Sequence, residues 1–237
     1  MVAVPQFPPL LRGKAVVAPA DPFAAACAEA ARGCDAGLIC HSAGGTDFAA
    51  AIVLAPEVSL MKAMAMLPVA GLGLQNALGA LAPPELAVHL GWDGGVFLNG
   101  GKAGRFRVAT APDDPDTVPD WLVIGLELAM VSASDAPGDT PDATSLAEEG
   151  CGDIDAVTLL ETWARHMLVW INRWQDDGPA RVHTDWQALA QGLGGGFRIA
   201  YRGTAMAGEF LGVDEDFSML LKSDGQTTAL HLTGLLE

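Results

Sequence analysis

The segment from Leu86 to Val108 reads LAVHLGWDGGVFLNGGKAGRFRV, and its pattern gives the clearest indication of the fold. It contains three short β-rich runs, and the second and third of them flank Asn99-Gly100. Because Asn-Gly tolerates the positive φ angles of a tight hairpin turn, these two runs should pair as antiparallel strands. The stretch therefore predicts a β-hairpin that forms part of a larger sheet.

The outgoing strand of this hairpin, Gly104 to Val108, has two chemically different faces. Side chains alternate along a strand, so Phe106 falls on one face and Arg105 and Arg107 fall on the other. Lys102 lies just past the turn, where its flexible stem lets the ammonium group reach over the sheet toward an anion. We therefore expect one face of the sheet to join the core and the other to be cationic.

The same stretch resembles the central segment of the catalytic domain of biotin/lipoate protein ligases. In that family the segment reads roughly K-W-P-N-D-(apolar)-x-(apolar)-N-G-x-K-x-(A/G)-G, and counting from Trp92 without a gap brings Lys102 onto its second lysine. The family's lysine contacts the acyl-adenylate, so the resemblance implies that Lys102 is catalytic. It also implies that Trp92 walls the acyl pocket, and Asp93, at the position of the family's proline, is included among the substrate-binding residues.

The chain departs from the family pattern on both sides of this motif. Gly91 replaces the lysine before the tryptophan, and Gly94-Gly95 replaces the Asn-Asp pair. The glycine after the second lysine is shifted and lies at Gly104. Glycine has no Cβ, so a backbone segment at Gly104 can come close to a ligand. Gly104 is therefore kept as a substrate-binding position, although it arrives one residue early.

A second match lies in the apolar run from Trp121 to Met130, which predicts a strand buried on both faces. The run is similar to the family's I-G-x-G-(I/L)-N-V strand, with Gly125 at the first glycine, and the resemblance implies that Gly125 lets substrate approach. Glu127 replaces the second glycine. Because burial of an unpaired carboxylate is costly, Glu127 needs either an ion pair with an arginine of the preceding strand or a contact with a ligand.

A turn between two predicted strands is the place where the family carries its Q-x-x-G-R-G-R-x-G-R loop, which folds over the adenylate. This chain has His41, Ser42, Gly44 and Gly45 at that turn. Backbone amides around glycines can bind phosphate without any cationic side chain. The resemblance implies that these four residues bind substrate, whereas His41 read from its position alone is either a proton acceptor or a hydrogen-bonding residue at a strand end.

The arginines of the family's loop are missing from this chain, because no arginine occurs between Gly33 and Gly104. A charge-assisted hydrogen bond contributes about 1.5–3 kcal/mol. Losing two such bonds would weaken an adenylate complex by roughly two to four powers of ten. Arg105, Arg107 and Lys62 are the cations that the sequence offers as replacements.

Four helices and a C-terminal run of short strands complete the prediction. Caps and apolar periodicity predict helices over residues 21–33, 59–81, 153–174 and 180–192, with Pro68 kinking the second. The segment from Gly196 resembles the small SH3-like β-barrel that ends many biotin ligases. We predict an α/β (α+β) fold with a mixed sheet and covering helices, of the class II synthetase-like biotin/lipoate ligase type, over residues 1–194, and a small β-barrel domain over residues 195–237.

Composition narrows the classes of partner. The chain of 237 residues carries a formal net charge of −16, which disfavours nucleic acid and anionic membrane surfaces. We expect no apolar run to reach the roughly 18–20 residues of a membrane helix, and the N-terminal sequence does not read as a signal peptide. The four cysteines have no metal-binding spacing and are expected to be reduced thiols. We expect a cytoplasmic protein without a metal site of its own.

The resemblance implies an ATP-dependent ligase, provided that the protein is active. A biotin-like or lipoate-like carboxylic acid would attack the α-phosphate of ATP, Mg²⁺ would neutralise the departing pyrophosphate, and a lysine of an acyl-carrier-type acceptor protein would take the acyl group. The alternative is an inactive descendant that binds a small carboxylate or a carrier domain. The sequence leaves the acyl group and the oligomeric state open, with a homodimer as one arrangement.

Overall fold

The structure is a computed structural model that describes residues 4–42, 47–132 and 142–237. Gly44 and Gly45 therefore lie outside the described residues. Eleven strands fall within the described residues: β1 (Arg12–Val16), β2 (Leu38–Ser42), β3 (Asp47–Leu54), β4 (Val88–Leu90), β5 (Gly95–Leu98), β6 (Gly101–Ala111), β7 (Trp121–Ala129), β8 (Gly196–Tyr201), β9 (Thr204–Val213), β10 (Met219–Ser223) and β11 (Gln226–Leu230).

The first seven strands form one mixed sheet in the order β1-β2-β3-β7-β6-β5-β4. Only the β1–β2 pair is parallel, and the remaining neighbours are antiparallel. The predicted mixed sheet is thereby confirmed. Its central strands β3 and β7 pair over eight residues each, which places the start of β3 beside the end of β7.

Helices cover both faces of this sheet, and they are α1 (Pro22–Ala31), α2 (Leu60–Ala63), α3 (Met66–Leu81), α4 (Ala156–Asp177) and α5 (Pro179–Ala188). Helix α1 packs alone on one face, over a small apolar cluster that includes Phe23 and Ala51. The other helices lie on the opposite face, where α3 and α4 pack against each other. The two faces are called here the α1 face and the α4 face.

The hairpin predicted around Asn99-Gly100 is confirmed. Both residues have positive φ, 47° and 95°, and Leu98 pairs with Gly101 across the turn. The register between β5 and β6 shifts beside Ala103, which is buried in the main core. This bulge turns Lys102 to the same face as Arg105.

The apolar segment before the hairpin differs from the predicted single kinked helix. It is divided into α2 and α3, and Pro68 lies in the first turn of α3, where a missing backbone N–H breaks no hydrogen bond. The stretch Leu60–Leu81 is long and apolar enough to cross a membrane, contrary to expectation, but 72% of its most apolar window is buried in the fold. Packing against α4 therefore accounts for its composition.

The last four strands form a second, antiparallel sheet in the order β11-β10-β9-β8, followed by a short 3₁₀ helix at Leu232–Leu235. This sheet begins at Gly196, close to the predicted boundary, and its closure into an SH3-like barrel stays a prediction. Its apolar residues, including Phe210 and Phe217, belong to the same core cluster as α3 and α4.

Candidate functional site

Lys102 lies in an open groove of about 480 Å³ on the α1 face of the sheet. The side chain is exposed, and among the residues that the structure describes it has no hydrogen-bond or ion-pair partner. The groove is lined by β3, β6 and β7, through Asp47, Phe48, Ala49, Lys102, Gly104, Arg105, Glu127, Leu128 and Ala129. An ammonium group placed in this way is available to bind an anion.

The backbone of Lys102 is held on both sides, although its side chain has no partner among the described residues. Its N–H donates to the carbonyl oxygen of Asp142 at 2.9 Å, and its own carbonyl accepts from the N–H of Thr144 at 3.0 Å. Together with the bulge at Ala103, these bonds fix the direction in which the side chain leaves the sheet. The sequence predicted the position of Lys102 but not this support, since Thr144 is 42 residues away.

Arg107, two residues beyond Arg105 on the same face, is surrounded by carboxylates. Its guanidinium group contacts Asp21 at 2.8 Å, Glu127 at 2.9 Å and Glu237 at 2.7 Å, and its side chain is only 17% exposed. Arg105 forms a second ion pair with Glu127 at 2.9 Å. Of the two alternatives that the sequence left open for Glu127, the structure shows the ion pair, which both Arg105 and Arg107 form.

These contacts shift pKa values in opposite directions. Burial alone would lower the pKa of Arg107, but hydrogen bonds to Glu237, Asp21 and Glu127 raise it above its ordinary value. Burial alone would raise the pKa of Asp21, but the bond from Arg107 and the backbone N–H of Phe23 lower it below its ordinary value. Arg107 is therefore a permanent cation whose charge is already neutralised by the protein.

Phe23 fills the part of the α1 face next to this cluster. A Cβ on Gly125 would lie 2.5 Å from Phe23 Cδ2, and the Arg107 guanidinium lies over the Phe23 ring at 4.2 Å from its centre. The expectation that Gly125 opens the strand to substrate is therefore wrong, because a phenyl ring occupies that space. Gly104 is likewise filled by the protein itself. A Cβ on Gly104 would collide with the carbonyl oxygen of Glu127, so a glycine is needed there for β6 to pack against β7.

Trp92 lies away from the groove, and the expectation that it walls an acyl pocket there is corrected. Its ring is 1% exposed, and its Nε1 donates to the carbonyl oxygen of Phe217 at 2.7 Å, so it joins the two sheets. Asp93 is also remote from Lys102, and its carboxylate accepts from the backbone N–H of Gly95 at 3.1 Å. Asp93 therefore stabilises the turn before β5, and Trp92 stabilises the contact with the C-terminal part of the chain.

His41 and Ser42 end β2, and neither of them lines the groove of Lys102. His41 pairs with Ala50, whose side chain belongs to the main core on the α4 face, so the histidine lies on the opposite face of the sheet from the groove. The Ser42 hydroxyl is occupied by the backbone of Ala49, with its oxygen 3.3 Å from both the N–H and the carbonyl oxygen. The expected grouping of His41 with Lys102 is therefore corrected, whereas Ser42, bonded to the groove residue Ala49, stays a predicted substrate-binding position.

Of the three cations considered as replacements for the missing loop arginines, Arg105 alone lines the groove. Arg107 is committed to its three carboxylates, and Lys62 lies beside Trp174 and Glu215, near the second sheet. The groove therefore offers two cations, Lys102 and Arg105, and the carboxylate of Glu127 partly neutralises the second.

The described residues include no group of three or more side chains able to hold a metal ion. A magnesium ion that arrives with nucleotide phosphates needs only one or two protein carboxylates. Asp47, at the edge of the groove, is the carboxylate that lies there without an ion pair to any described residue. The carboxylate of Asp47 thus fits Mg²⁺ that arrives with a nucleotide.

Sequence reasoning missed Asp21, Phe23 and Glu237 as parts of this face. Asp21 and Phe23 carried a signal only for the start of α1, because Asp21 is its N-cap. Glu237 had no signal at all, since it reaches Arg107 from 130 residues away. These contacts depend on how α1 and the C-terminal residue pack against the sheet.

Comparisons with known proteins identify the family of this chain. A model described as the biotin/lipoate A/B protein ligase family matches residues 7–188, and a domain of unknown function matches residues 200–237. A protein of Paracoccus denitrificans named biotin–[acetyl-CoA-carboxylase] ligase is 30% identical over 181 residues, or 74% of each chain.

Solved structures agree with the sequence match. A biotin protein ligase-like protein of unknown function from Silicibacter is 52% identical over 99% of this chain and 100% of that one, with a TM-score of 0.91. The biotin protein ligase of Aquifex aeolicus shares the fold at 16% identity, with a TM-score of 0.73 over 95% and 96% of the chains, and another of its structures contains biotin and ATP. This chain therefore belongs to the biotin/lipoate A/B protein ligase family.

Proposed function

We propose that this protein is an ATP-dependent acyl ligase, which activates a small carboxylic acid and transfers it to a lysine of an acceptor protein. The observation that carries the proposal is Lys102, an unpartnered ammonium within the described residues, facing a groove of about 480 Å³. It lies at the position where the family motif has its adenylate-contacting lysine. Among the other groove residues, Arg105 supplies a second cation.

The chemistry requires two displacements. In the first, a carboxylate oxygen of the acid forms a bond to the α-phosphorus of ATP, and the bond from that phosphorus to the pyrophosphate oxygen breaks. In the second, a lysine amine of the acceptor attacks the acyl carbon, its proton passes to solvent, and AMP leaves. Lys102 stabilises the negative charge on the α-phosphate in the first step and on the acyl oxygen in the second. Mg²⁺, when bound, offsets the charge of the pyrophosphate.

The test measures pyrophosphate release with Mg-ATP and a panel of acids, consisting of biotin, lipoate and medium-chain fatty acids. At least one acid should stimulate release, and Lys102→Ala should lower the rate by about 10²–10³, the size of effect expected for loss of one preorganised charge-stabilising group. Lys222→Ala provides the matched control, since this exposed lysine of β10 lies outside the groove. Equal rates in the Lys102 variant and the wild type would refute the role of Lys102.

A second candidate function is binding of a small carboxylate without adenylation. It is favoured by the closed part of the α1 face, where Phe23 covers Gly125 and Arg107 is neutralised by three carboxylates. That arrangement leaves little depth for an acyl group beyond Lys102. Calorimetric binding of an acid that requires Lys102, combined with no pyrophosphate release for any acid, would support this second function and refute the first.

A further inference from the structure

A second cavity, of about 680 Å³, lies on the α4 face of the sheet, beside the first turn of α4. Its walls are mostly apolar and come from the N-terminal segment, from β3 and from α4, through Phe7, Phe48, Val157 and Leu160. Pockets that bind small molecules have volumes of about 300–1,000 Å³ and are mostly apolar with a few polar groups. The size and lining of this cavity therefore suit a small organic molecule.

His41 is the polar group that stands out in this cavity. The residue is only 7% exposed, lines the cavity, and lies with Nε2 next to Gly13, another lining residue. Among the residues that the structure describes, Nε2 has no hydrogen-bond partner. Nε2 is not one of the fully buried polar atoms that lack a partner, so it is accessible from the cavity, and a ligand that donates a hydrogen bond can replace the water that reaches it there.

The other ring nitrogen decides which kind of group would pair with Nε2. Nδ1 lies 3.2 Å from the carbonyl oxygen of Ser42, and a carbonyl oxygen can only accept a hydrogen bond. In the neutral ring Nδ1 therefore carries the proton, and Nε2 is an acceptor. The matching ligand group is a hydroxyl or N–H donor.

The remaining polar groups of the cavity are already used. Both oxygens of Asp155 cap α4, accepting from the backbone N–H groups of Val157 and Thr158 and from the Thr158 hydroxyl. The Ser42 hydroxyl is bonded to the Ala49 backbone. No lysine or arginine is among the described residues that line the cavity. Asp155 lines it, and the negative charge of its carboxylate disfavours binding of an anion.

We infer that this cavity binds an uncharged, largely apolar small molecule that donates one hydrogen bond to His41 Nε2. His41 lies on the opposite face of the sheet from Lys102, although the cavity and the proposed ligase groove share Phe48 and Ala49 in their linings. Occupancy of the cavity does not depend on whether the protein adenylates an acid.

The test uses N-phenyl-1-naphthylamine, an uncharged apolar probe with one N–H donor and a fluorescence that rises in apolar surroundings. The wild-type protein should bind it saturably. His41→Phe, which keeps a ring of similar shape but removes the acceptor, should weaken binding about fivefold to tenfold. Ala156→Trp, which fills the cavity from the first turn of α4, should abolish binding, whereas Val169→Trp on the exposed side of the same helix should not.

Competition then tests the chemical class of the ligand. 1-Decanol should displace the probe at concentrations at least tenfold lower than decanoate, which has the same chain length but an ionised carboxylate. Lys102→Ala should leave binding of the probe unchanged. The inference is overturned by absence of saturable binding, by Ala156→Trp or His41→Phe binding as wild type does, by decanoate competing as well as decanol, or by loss of binding in Lys102→Ala.

Discussion

Arg107 organises the α1 face of the sheet at the scale of single residues. Its three carboxylate partners come from the start of α1, from β7 and from the C-terminal residue, so one guanidinium group ties three distant parts of the chain together. The carboxylates are more than one third exposed, whereas the arginine is mostly buried. The network therefore stabilises the fold and also removes Arg107 from any role in binding an anion.

We predict that Arg107→Leu lowers the free energy of unfolding at pH 7 by about 1–3 kcal/mol, less than for a fully buried pair because the carboxylates are partly solvated. The pKa of Asp21 is lowered in the folded protein, so its stabilising contribution is present above about pH 4, its unfolded value, and is lost as pH falls through the folded pKa. Urea titrations at several pH values should therefore show the difference from wild type shrinking toward pH 3.

Arg198→Leu is the control for this prediction, because Arg198 is an exposed residue of β8 whose side chain forms no ion pair or hydrogen bond with a described residue. It should change stability by less than about 0.5 kcal/mol. A difference for Arg107→Leu that stays constant from pH 7 to pH 3 would contradict the role assigned to the Asp21 carboxylate.

Cys27, on α1, supports a second prediction at this scale. Burial raises the pKa of its thiol to about 11, so only a small fraction is thiolate at pH 7.5. We expect alkylation of Cys27 by iodoacetamide to be at least tenfold slower in the native protein than in the protein unfolded in urea, as measured by peptide mass spectrometry. Equal rates in the two states would show that the α1 face is open to solvent.

Helix α4 shows at the scale of one element how local sequence and packing cooperate. Asp155 has the extended backbone of an N-cap and accepts from the N–H groups of Val157 and Thr158. The 22-residue helix places Trp163, Met167 and Trp170 in the core, at helical spacing. The same cap forms the rim of the cavity that contains His41.

We predict that Asp155→Ala destabilises the protein by about 0.5–2 kcal/mol, because two N–H groups of the first turn lose their acceptor. Asp176→Ala, at the exposed C-terminal end of α4, is the matched control. It removes a carboxylate from the negative end of the helix dipole, so it should be neutral or slightly stabilising. Thermal unfolding followed by circular dichroism measures both, and equal losses would exclude a capping role for Asp155.

At the scale of the whole molecule, the two sheets share one hydrophobic core. Trp92, before β5, donates a hydrogen bond to the carbonyl oxygen of Phe217, and Trp186 of α5 packs edge-on against the Phe217 ring at 6.5 Å. Apolar residues of β9, β10 and β11 belong to the same cluster as α3 and α4. The second sheet is therefore expected to unfold together with the first.

We predict that Trp92→Phe lowers the free energy of unfolding by about 1–3 kcal/mol, because the buried carbonyl of Phe217 loses its donor. Trp121→Phe should cost less, since Trp121 is only partly buried and its indole makes no hydrogen bond to a described residue. Denaturation followed by tryptophan fluorescence and by circular dichroism should give a single coincident transition. Two separate transitions would show that the second sheet is an independent unit.

Local patterns in the sequence predicted much of the fold. The Asn99-Gly100 turn, the two faces of β6 and the capped start of α1 depend on short-range geometry, and all three are confirmed. Lys102 was identified from a motif about a dozen residues long, and such a motif is also a local pattern. The sequence could predict these features because each depends on neighbouring residues whose conformational preferences are known.

The tertiary structure decided which residues meet. The bulge at Ala103, the ring of Phe23 over Gly125 and the pairing of Arg107 with Glu237 join segments that are far apart in the chain. It also placed His41 on the opposite face from Lys102 and buried Trp92 between the two sheets. A motif records residue types and spacing, but which cavity a side chain enters depends on strand register and on the packing of distant helices.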